Sequence, residues 1–302
     1  MKKKLLIFST LCLFIGLFLA DYLGPRAIIQ THGGVYSLLR PKKSKGLPKA
    51  EDYGLKSEKL EIQSQDGLNL STLLIRTDSP VQKGTVIFVH GIRAYKERFF
   101  PACQFLSAQG YNSVLIDLRA HGGSEGEFCT FGFKEKEDIK TLVDSLTKID
   151  GLSRHIGIWG QSLGAAVSLQ AMAVDQRIRF GIIESTFSSF RQIVYDYADY
   201  HLGLKAPWLC DYLIWRAESI GDFEADKTVP SLAAKSITQP VLVVHGIEDR
   251  RISIAYGRQN FENLKSEKKE FLEIPKAGHM NVWKVGGDEY FEEVLRFVER
   301  EL

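Results

Sequence analysis

The length, composition and charge of this chain limit the kinds of protein it can be. With 302 residues it is long enough for one large domain with a small insertion. Its 44% hydrophobic and 25% charged residues are typical of a folded globular protein and exclude a disordered or fibrous one. The net charge is +2 and the basic residues are scattered along the chain, so we expect no nucleic-acid partner.

The N-terminus has the pattern of a membrane-targeting segment. Three lysines, Lys2 to Lys4, precede an uncharged apolar run over residues 5–20. Because Phe18 replaces one of the small residues of a cleavage site, we favour a retained signal anchor over residues 1–23, with a cleaved signal peptide as the alternative. The lysines would stay in the cytoplasm and the domain outside it, whereas cleavage would give a secreted or periplasmic protein.

Residues 24–56 lack apolar periodicity and contain Gly33-Gly34, Pro41 and Pro48, which predicts a linker or loosely packed lead-in. The folded domain is predicted over residues 57–302. It begins with a hairpin, in which the strands 59–63 and 68–75 flank an Asp66-Gly67 turn.

The rest of the domain alternates buried strands with helices. Further strands are predicted at residues 85–89, 112–116, 156–159, 179–183, 240–244 and 270–274, and helices at about 97–109, 134–149, 165–172 and 288–300. Continuous apolar strands alternating with helices indicate an α/β fold, with a mostly parallel eight-stranded sheet and helices on both faces. The aromatic-rich segment 186–238 has helical stretches instead of a strand, which predicts a helical cap that either forms a substrate pocket or packs on itself.

The clearest chemical signal is Gly160-Gln161-Ser162-Leu163-Gly164, which lies between a predicted strand and a predicted helix. This order is typical of a nucleophile elbow, where the serine occupies a strained turn with its hydroxyl exposed. A serine hydroxyl becomes a good nucleophile only when a base takes its proton and an acid orients that base.

The sequence after the elbow offers a base and an acid in the expected chain order. His279 follows the last strand, where a loop can reach back over the serine, and we predict that it is the base. Asp249 follows the penultimate strand and is the favoured acid, with Glu184 as its rival. His245 stands at a strand end, which is more typical of a structural histidine.

An oxyanion hole requires two backbone donors that point to the developing charge. Leu163, directly after the serine, would supply one amide, and Ile92 in the loop His90-Gly91-Ile92-Arg93 is the best candidate for the other. His90 is expected to brace this loop. The polar strand end with Asp117, Arg119 and His121 is expected to tie loops together near the site.

The ordered set of motifs resembles the α/β-hydrolase superfamily, and within it the serine-aminopeptidase-like and bud-emergence-type hydrolases. The motifs are His90-Gly91, Asp117-x-Arg119-x-His121-Gly122-x-Ser124, Gly160-x-Ser162-x-Gly164, Asp249 and Gly278-His279. The resemblance covers about residues 57–302 and implies a Ser162–His279–Asp249 triad with no metal and no organic cofactor. The loop reads His-Gly-Ile-Arg, which disfavours lipases with a His-Gly-Gly-Gly oxyanion loop.

These observations predict a serine hydrolase that cleaves a carboxylic ester or thioester through an acyl-enzyme on Ser162. An amidase or peptidase, or an acyltransferase, would use the same triad, and a membrane-tethered binding protein of the same fold is the alternative outside the enzymes. The apolar, aromatic cap favours a small-molecule or lipid-like acyl substrate.

Overall fold

The computed structural model describes residues 2–32, 46–203 and 205–301, and these contain one eight-stranded sheet. Its strands are β1 (Ser57–Gln63), β2 (Asn69–Ile75), β3 (Gly84–Val89), β4 (Tyr111–Ile116), β5 (Ile156–Gln161), β6 (Ile178–Glu184), β7 (Val241–Gly246) and β8 (Lys269–Ile274). They lie in the order β1-β2-β4-β3-β5-β6-β7-β8. Only the pairs β1/β2 and β2/β4 of this sheet are antiparallel, so the prediction of a mostly parallel sheet is confirmed.

Each predicted strand is present in the structure. The central strands were recognisable in the sequence because they are buried on both faces and are therefore continuously apolar. Every residue of β3, β4, β5 and β7 is buried, which requires continuous apolar runs. Along β3, Val86 and Phe88 enter one apolar cluster, while Ile87 and Val89 enter a second cluster on the other face. The alternation therefore places one hydrophobic core above the sheet and one below it.

Helices cover both faces of the sheet. They are α1 (Lys2–Phe18), α2 (Gly24–Ile29), α3 (Phe100–Ala108), α4 (Glu135–Leu146), α5 (Leu163–Val174), α6 (Phe190–Leu202), α7 (Pro207–Gly221), α8 (Pro230–Ala233), α9 (Ile254–Asn263) and α10 (Val282–Arg300). Short 3₁₀ turns occur at Ala50–Tyr53, Lys96–Phe99, Ala225–Lys227 and Ala234–Ser236, and a π-helical turn at Leu19–Leu23 joins α1 to α2.

Three helices differ from the prediction, and the first is α2, which lies in the predicted linker. Helix α9 was not predicted, and α10 begins at Val282 with a kink at Gly287, whereas the sequence predicted a start near residue 288. Between residues 186 and 238 the described chain forms α6, α7 and α8, so the expected helices of the cap segment are present.

The N-terminal helix α1 is exposed along most of its described side chains, including Ile7, Phe8 and Phe14. Over Ile7–Ile29, the described chain has one helical stretch long and apolar enough to cross a membrane, with a mean hydropathy of 1.9.

The expectation of a loose lead-in is wrong for its first residues, which form α2 at the end of this stretch. Ile29 is fully buried, and its carbonyl accepts a hydrogen bond from the Cys129 amide at 2.9 Å. Thr31 is buried as well, and its hydroxyl donates to the Ala120 carbonyl. Helix α2 packs on the cap helix α7, a contact that the short segment could not reveal through periodicity. Gly33-Gly34 and Pro41 lie outside the described residues.

The packing of Ile29 gives a stability test. We expect Ile29→Ala to lower the free energy of unfolding by about 2–4 kcal/mol, because it leaves a cavity beneath a buried hydrogen bond. Val81→Ala, at an exposed side chain, should cost under about 0.5 kcal/mol. Denaturant unfolding of the full chain in detergent measures both, and equal effects would mean that residue 29 belongs to a loose linker after all.

Candidate active site

Ser162 lies on a strained turn between β5 and α5. Its backbone has φ 55° and ψ −116°, a region that a non-glycine residue rarely adopts. The two flanking glycines are required by close packing, since a Cβ on Gly160 would lie 2.3 Å from the Gly164 carbonyl oxygen, and one on Gly164 would lie 2.0 Å from the Val89 carbonyl oxygen. The turn is also fixed to the neighbouring strand, because the Ser162 amide donates to the Glu184 carbonyl at 2.8 Å.

The structure brings Ser162, His279 and Asp249 together. The His279 Nε2 atom lies 3.0 Å from the Ser162 hydroxyl oxygen, and His279 Nδ1 lies 2.7 Å from Asp249 Oδ2. His279 comes from the loop after β8 and Asp249 from the loop after β7, so both approach the serine from the carboxyl ends of parallel strands. A serine, an imidazole and a carboxylate in this sequence can activate the hydroxyl for attack.

The environment of Asp249 keeps its carboxylate charged. The backbone amides of Arg251 and Ile252 donate to Oδ1 at 2.9 and 3.0 Å, and His245 Nε2 lies 3.4 Å from Oδ2. Burial by itself would raise the pKa of Asp249, but the hydrogen bonds with His245 and His279 outweigh it and hold this pKa well below its usual range. Asp249 can therefore orient His279 as a carboxylate throughout the neutral range.

Glu184, the rival acid, has a different set of neighbours. Its buried carboxylate accepts hydrogen bonds from Trp159 Nε1 at 3.1 Å, Gln161 Nε2 at 2.5 Å and Trp283 Nε1 at 2.6 Å, and from the Tyr290 hydroxyl. Burial raises the pKa of Glu184 even against these four donors. Glu184 thus links the elbow strand β5 to helix α10. Sequence reasoning missed this network because its donors come from two separate parts of the chain.

The loop after β3 is placed beside the elbow. A Cβ on Gly91 would lie 3.2 Å from the Ser162 Cβ, so the glycine lets this loop pack closely against the serine. The Ile92 amide has no hydrogen-bond acceptor within the described residues, and Leu163 is the first residue of α5, where an amide has no partner inside its own helix. Ile92 and Leu163 line one cavity together with Ser162.

His90 and His121 support this loop from beneath. His90 is fully buried, and its ring bridges the Gly91 carbonyl at 2.8 Å and the Leu118 amide at 3.1 Å. Its Nε2 must accept from that amide, so the ring is neutral. The His121 ring lies 5.0 Å away, and its Nδ1 contacts the Arg119 carbonyl at 2.9 Å. Burial lowers the pKa of both imidazoles, that of His121 well below its ordinary value.

The other polar residues of the strand end join loops and do not reach the serine. Asp117 accepts from the Lys96 amide and side chain at 2.8 and 2.6 Å, while Arg119 binds Asp138 and Asp66 through pairs of hydrogen bonds. Within the part of the chain that the structure describes, no group of three or more His, Cys, Asp or Glu side chains could hold a metal ion.

Two cavities meet at Ser162. One, of about 310 Å³, is lined mainly by apolar side chains from the cap, α2 and α5, including Ile28, Leu163, Phe187, Val194, Leu202 and Leu213. The other, of about 380 Å³, is lined by charged and polar side chains, including Arg98, Glu184, Arg251, His279 and Lys284. Both volumes are in the range of small-molecule sites.

Comparison with known proteins agrees with this architecture. Residues 80–208 match the model of a family described as serine aminopeptidase, S33. The structure superimposes on the Pyrococcus furiosus esterase Pf2001 with a TM-score of 0.70 and 25% identity, over 86% of this chain and 99% of that one.

Two relatives extend the comparison. The alpha/beta hydrolase domain-containing protein WAV2 of Arabidopsis thaliana is 24% identical over 88% of this chain and 86% of its own length. The uncharacterized protein YqkD of Bacillus subtilis is 26% identical over 196 residues. The matched part is 62% of this chain and 62% of that relative.

The neutral histidines give a pH test of folding. In the unfolded chain both take up a proton below about pH 6.5, whereas in the folded chain they stay neutral. Because the unfolded state then binds more protons, the free energy of unfolding should fall as the pH drops from about 7.5 to 5.5. His121→Gln removes one of these groups and should flatten the decline by up to about 1.4 kcal/mol per pH unit. Denaturant titrations across this range measure the slope, and an unchanged slope would mean that His121 is protonated in the folded protein.

Proposed function

We propose that this chain, which has an α/β-hydrolase fold and is similar to alpha/beta hydrolases, is a serine hydrolase that cleaves carboxylic esters or thioesters through an acyl-enzyme on Ser162. The observation that carries the proposal is the continuous hydrogen-bonded series from the Ser162 hydroxyl through His279 to the Asp249 carboxylate, at 3.0 and 2.7 Å. The esterase Pf2001, similar over 86% of the chain, supports the same reaction class.

In the first half of the reaction, His279 Nε2 takes the Ser162 hydroxyl proton as the oxygen attacks the acyl carbonyl carbon. Asp249 holds the ring through Nδ1 and stabilises the imidazolium that forms. The amides of Ile92 and Leu163 bind the oxyanion of the tetrahedral intermediate, where the N-terminus of α5 also favours negative charge. When the carbonyl re-forms, the bond to the leaving oxygen or sulfur breaks, and the imidazolium gives its proton to that atom.

In the second half, water enters the place of the leaving group. His279 takes its proton as the water oxygen attacks the acyl carbon, and the bond between Ser162 and the acyl group breaks with return of the proton to the serine oxygen. The products are a carboxylic acid and an alcohol or thiol, and the enzyme returns to its starting state.

We also propose that the N-terminal helix keeps the enzyme on a membrane, with the catalytic domain outside the cytoplasm. The support is the apolar stretch Ile7–Ile29, the exposure of the α1 side chains, and the lysines that precede it. Cleavage near residue 20 would instead release a domain that still contains α2.

The nucleophile can be tested directly. A fluorescent fluorophosphonate should label the wild type but not Ser162→Ala, and that substitution should lower the turnover of p-nitrophenyl butyrate by about 10⁴–10⁶-fold. Ser236→Ala, at an exposed serine outside both cavities, is the control and should still label. A folded wild type that neither labels nor hydrolyses esters, thioesters or amides would favour a binding protein.

Substitutions of Asp249 and Glu184 should affect different properties of the enzyme. Asp249→Asn should lower kcat by about 10³–10⁴-fold, because the imidazole loses the group that fixes its tautomer. Glu184→Gln should instead lower the free energy of unfolding by about 1–3 kcal/mol, because an amide group cannot accept from all four donors. Turnover and denaturant unfolding of both proteins decide between them. If Glu184→Gln abolished turnover at unchanged stability while Asp249→Asn remained active, the acid would have to be reassigned.

A further inference from the structure

The two cavities meet Ser162 from different sides, and this division carries information about the substrate. Ser162, Ile92, Arg93, Tyr197 and His201 line both cavities. His279 lines only the charged cavity, and Leu163 lines only the apolar one. Because His279 must protonate the leaving group in the proposed reaction, the leaving group lies in the charged cavity and the acyl chain in the apolar cavity.

One wall of the apolar cavity is helix α2, which forms the end of the apolar N-terminal stretch. Gly24, Ala27 and Ile28 line it opposite the cap residues Leu202 and Leu213. The helix is held closely on the cap, since a Cβ on Gly24 would lie 2.6 Å from Leu213 Cδ2.

Polar contacts fix this wall at both ends. At its start, Asp21 accepts hydrogen bonds from the Tyr212 hydroxyl at 2.8 Å and from Arg216 Nε at 2.5 Å. Further along, the Arg93 side chain donates to the Ala27 carbonyl at 2.7 Å, which ties α2 to the oxyanion loop. The segment that follows the predicted anchor is thus a built part of the acyl pocket.

The charged cavity is strongly cationic. Four basic side chains line it, namely Arg93, Arg98, Arg251 and Lys284. Arg251 and Lys284 form no ion pair with any carboxylate of the described residues, and both are exposed to the cavity and solvent.

The acidic groups that face these cations do not cancel them. Glu184 is the carboxylate of the cavity lining, and four hydrogen-bond donors already occupy its oxygens. Asp249 directs its oxygens at His279 and at the amides of residues 251 and 252. An anionic group in this cavity would therefore find unpaired cationic donors.

We infer that the substrate is an anionic amphiphile with a single acyl chain, an acyl ester whose leaving alcohol carries a phosphate or similar anion. The chain lies against α2 and the cap, and the anionic head lies among Arg98, Arg251 and Lys284. Hydrolysis breaks the bond between the acyl carbon and the leaving oxygen, with water supplying the hydroxyl of the fatty acid and His279 the proton of the alcohol. This inference rests on the proposed function and names its substrate class.

The proposed binding of the anionic head group is tested with two esters that share a palmitoyl chain, 1-acylglycerol-3-phosphate and 1-acylglycerol. Both are offered to the full-length protein in detergent micelles. The wild type should prefer the phosphate ester in kcat/KM by about tenfold or more. The double variant Arg251→Gln/Lys284→Gln should lose about tenfold of this preference. Lys235→Gln, an exposed lysine outside both cavities, should keep the wild-type preference.

The proposed binding of the acyl chain is tested at Ala27, an exposed residue that lines the apolar cavity. Ala27→Phe fills the cavity and should lower the ratio of kcat/KM for p-nitrophenyl palmitate over p-nitrophenyl butyrate by about tenfold or more. Ala255→Phe makes the same change at an exposed position of α9 away from both cavities and should leave the ratio as in the wild type. Because each ratio is measured on one preparation, it does not depend on the folded fraction.

The outcomes separate this inference from the proposed function. If Ser162-dependent hydrolysis of p-nitrophenyl butyrate is present but the wild type shows no phosphate preference, or either cavity variant keeps the wild-type ratio, the substrate class is wrong and the serine hydrolase stands. If no ester is hydrolysed in a Ser162-dependent way, the proposed function itself falls, and this inference with it.

Discussion

The contact between the elbow and the strand beside it is the constraint on which the site depends. Gly164 lies so close to the Val89 carbonyl that no side chain fits, and Gly91 packs tightly, though less closely, against Ser162. These approaches bring the end of β3 and the start of α5 together, so that Ile92 and Leu163 lie beside Ser162 at one cavity. The unfavourable backbone of Ser162 persists because the sheet fixes both ends of the turn, through the hydrogen bond to Glu184 on one side and helix α5 on the other.

Two buried carboxylates of this site take opposite roles because their partners differ. Asp249 accepts from two backbone amides and from His279, contacts that stabilise its charged form. Glu184 accepts from two indoles, an amide and a phenol in a setting where burial outweighs those bonds. The first arrangement keeps a charge next to the imidazole that becomes positive in the proposed mechanism, and the second joins three elements without needing a free charge.

Much of this architecture was predictable from the sequence, and the reasons for the rest are physical. The strands and the positions of Ser162, His279 and Asp249 follow from apolar runs and strand-end motifs, which are local signals. Helix α9 was missed because Gly257 interrupts a polar stretch, and that glycine is required by a neighbour, since a Cβ there would lie 2.7 Å from His245 Nδ1. The Glu184 network and the packing of Ile29 depend on contacts between distant parts of the chain, for which one sequence has no pattern.

The packing of α2 changes the meaning of the N-terminus. A flexible tether would leave the domain free to turn relative to a membrane, and its sequence would matter little to catalysis. Here the helical chain continues from the apolar stretch through the π-helical turn into α2, and α2 is fixed to the cap and to the loop that carries Ile92. An apolar helix of this length in a bilayer would therefore set both the orientation of the domain and the position of the acyl cavity relative to the lipid. In the proposed membrane-anchored enzyme, the residues that connect the domain to the membrane would also shape its substrate pocket, and one short helix would couple anchoring to specificity.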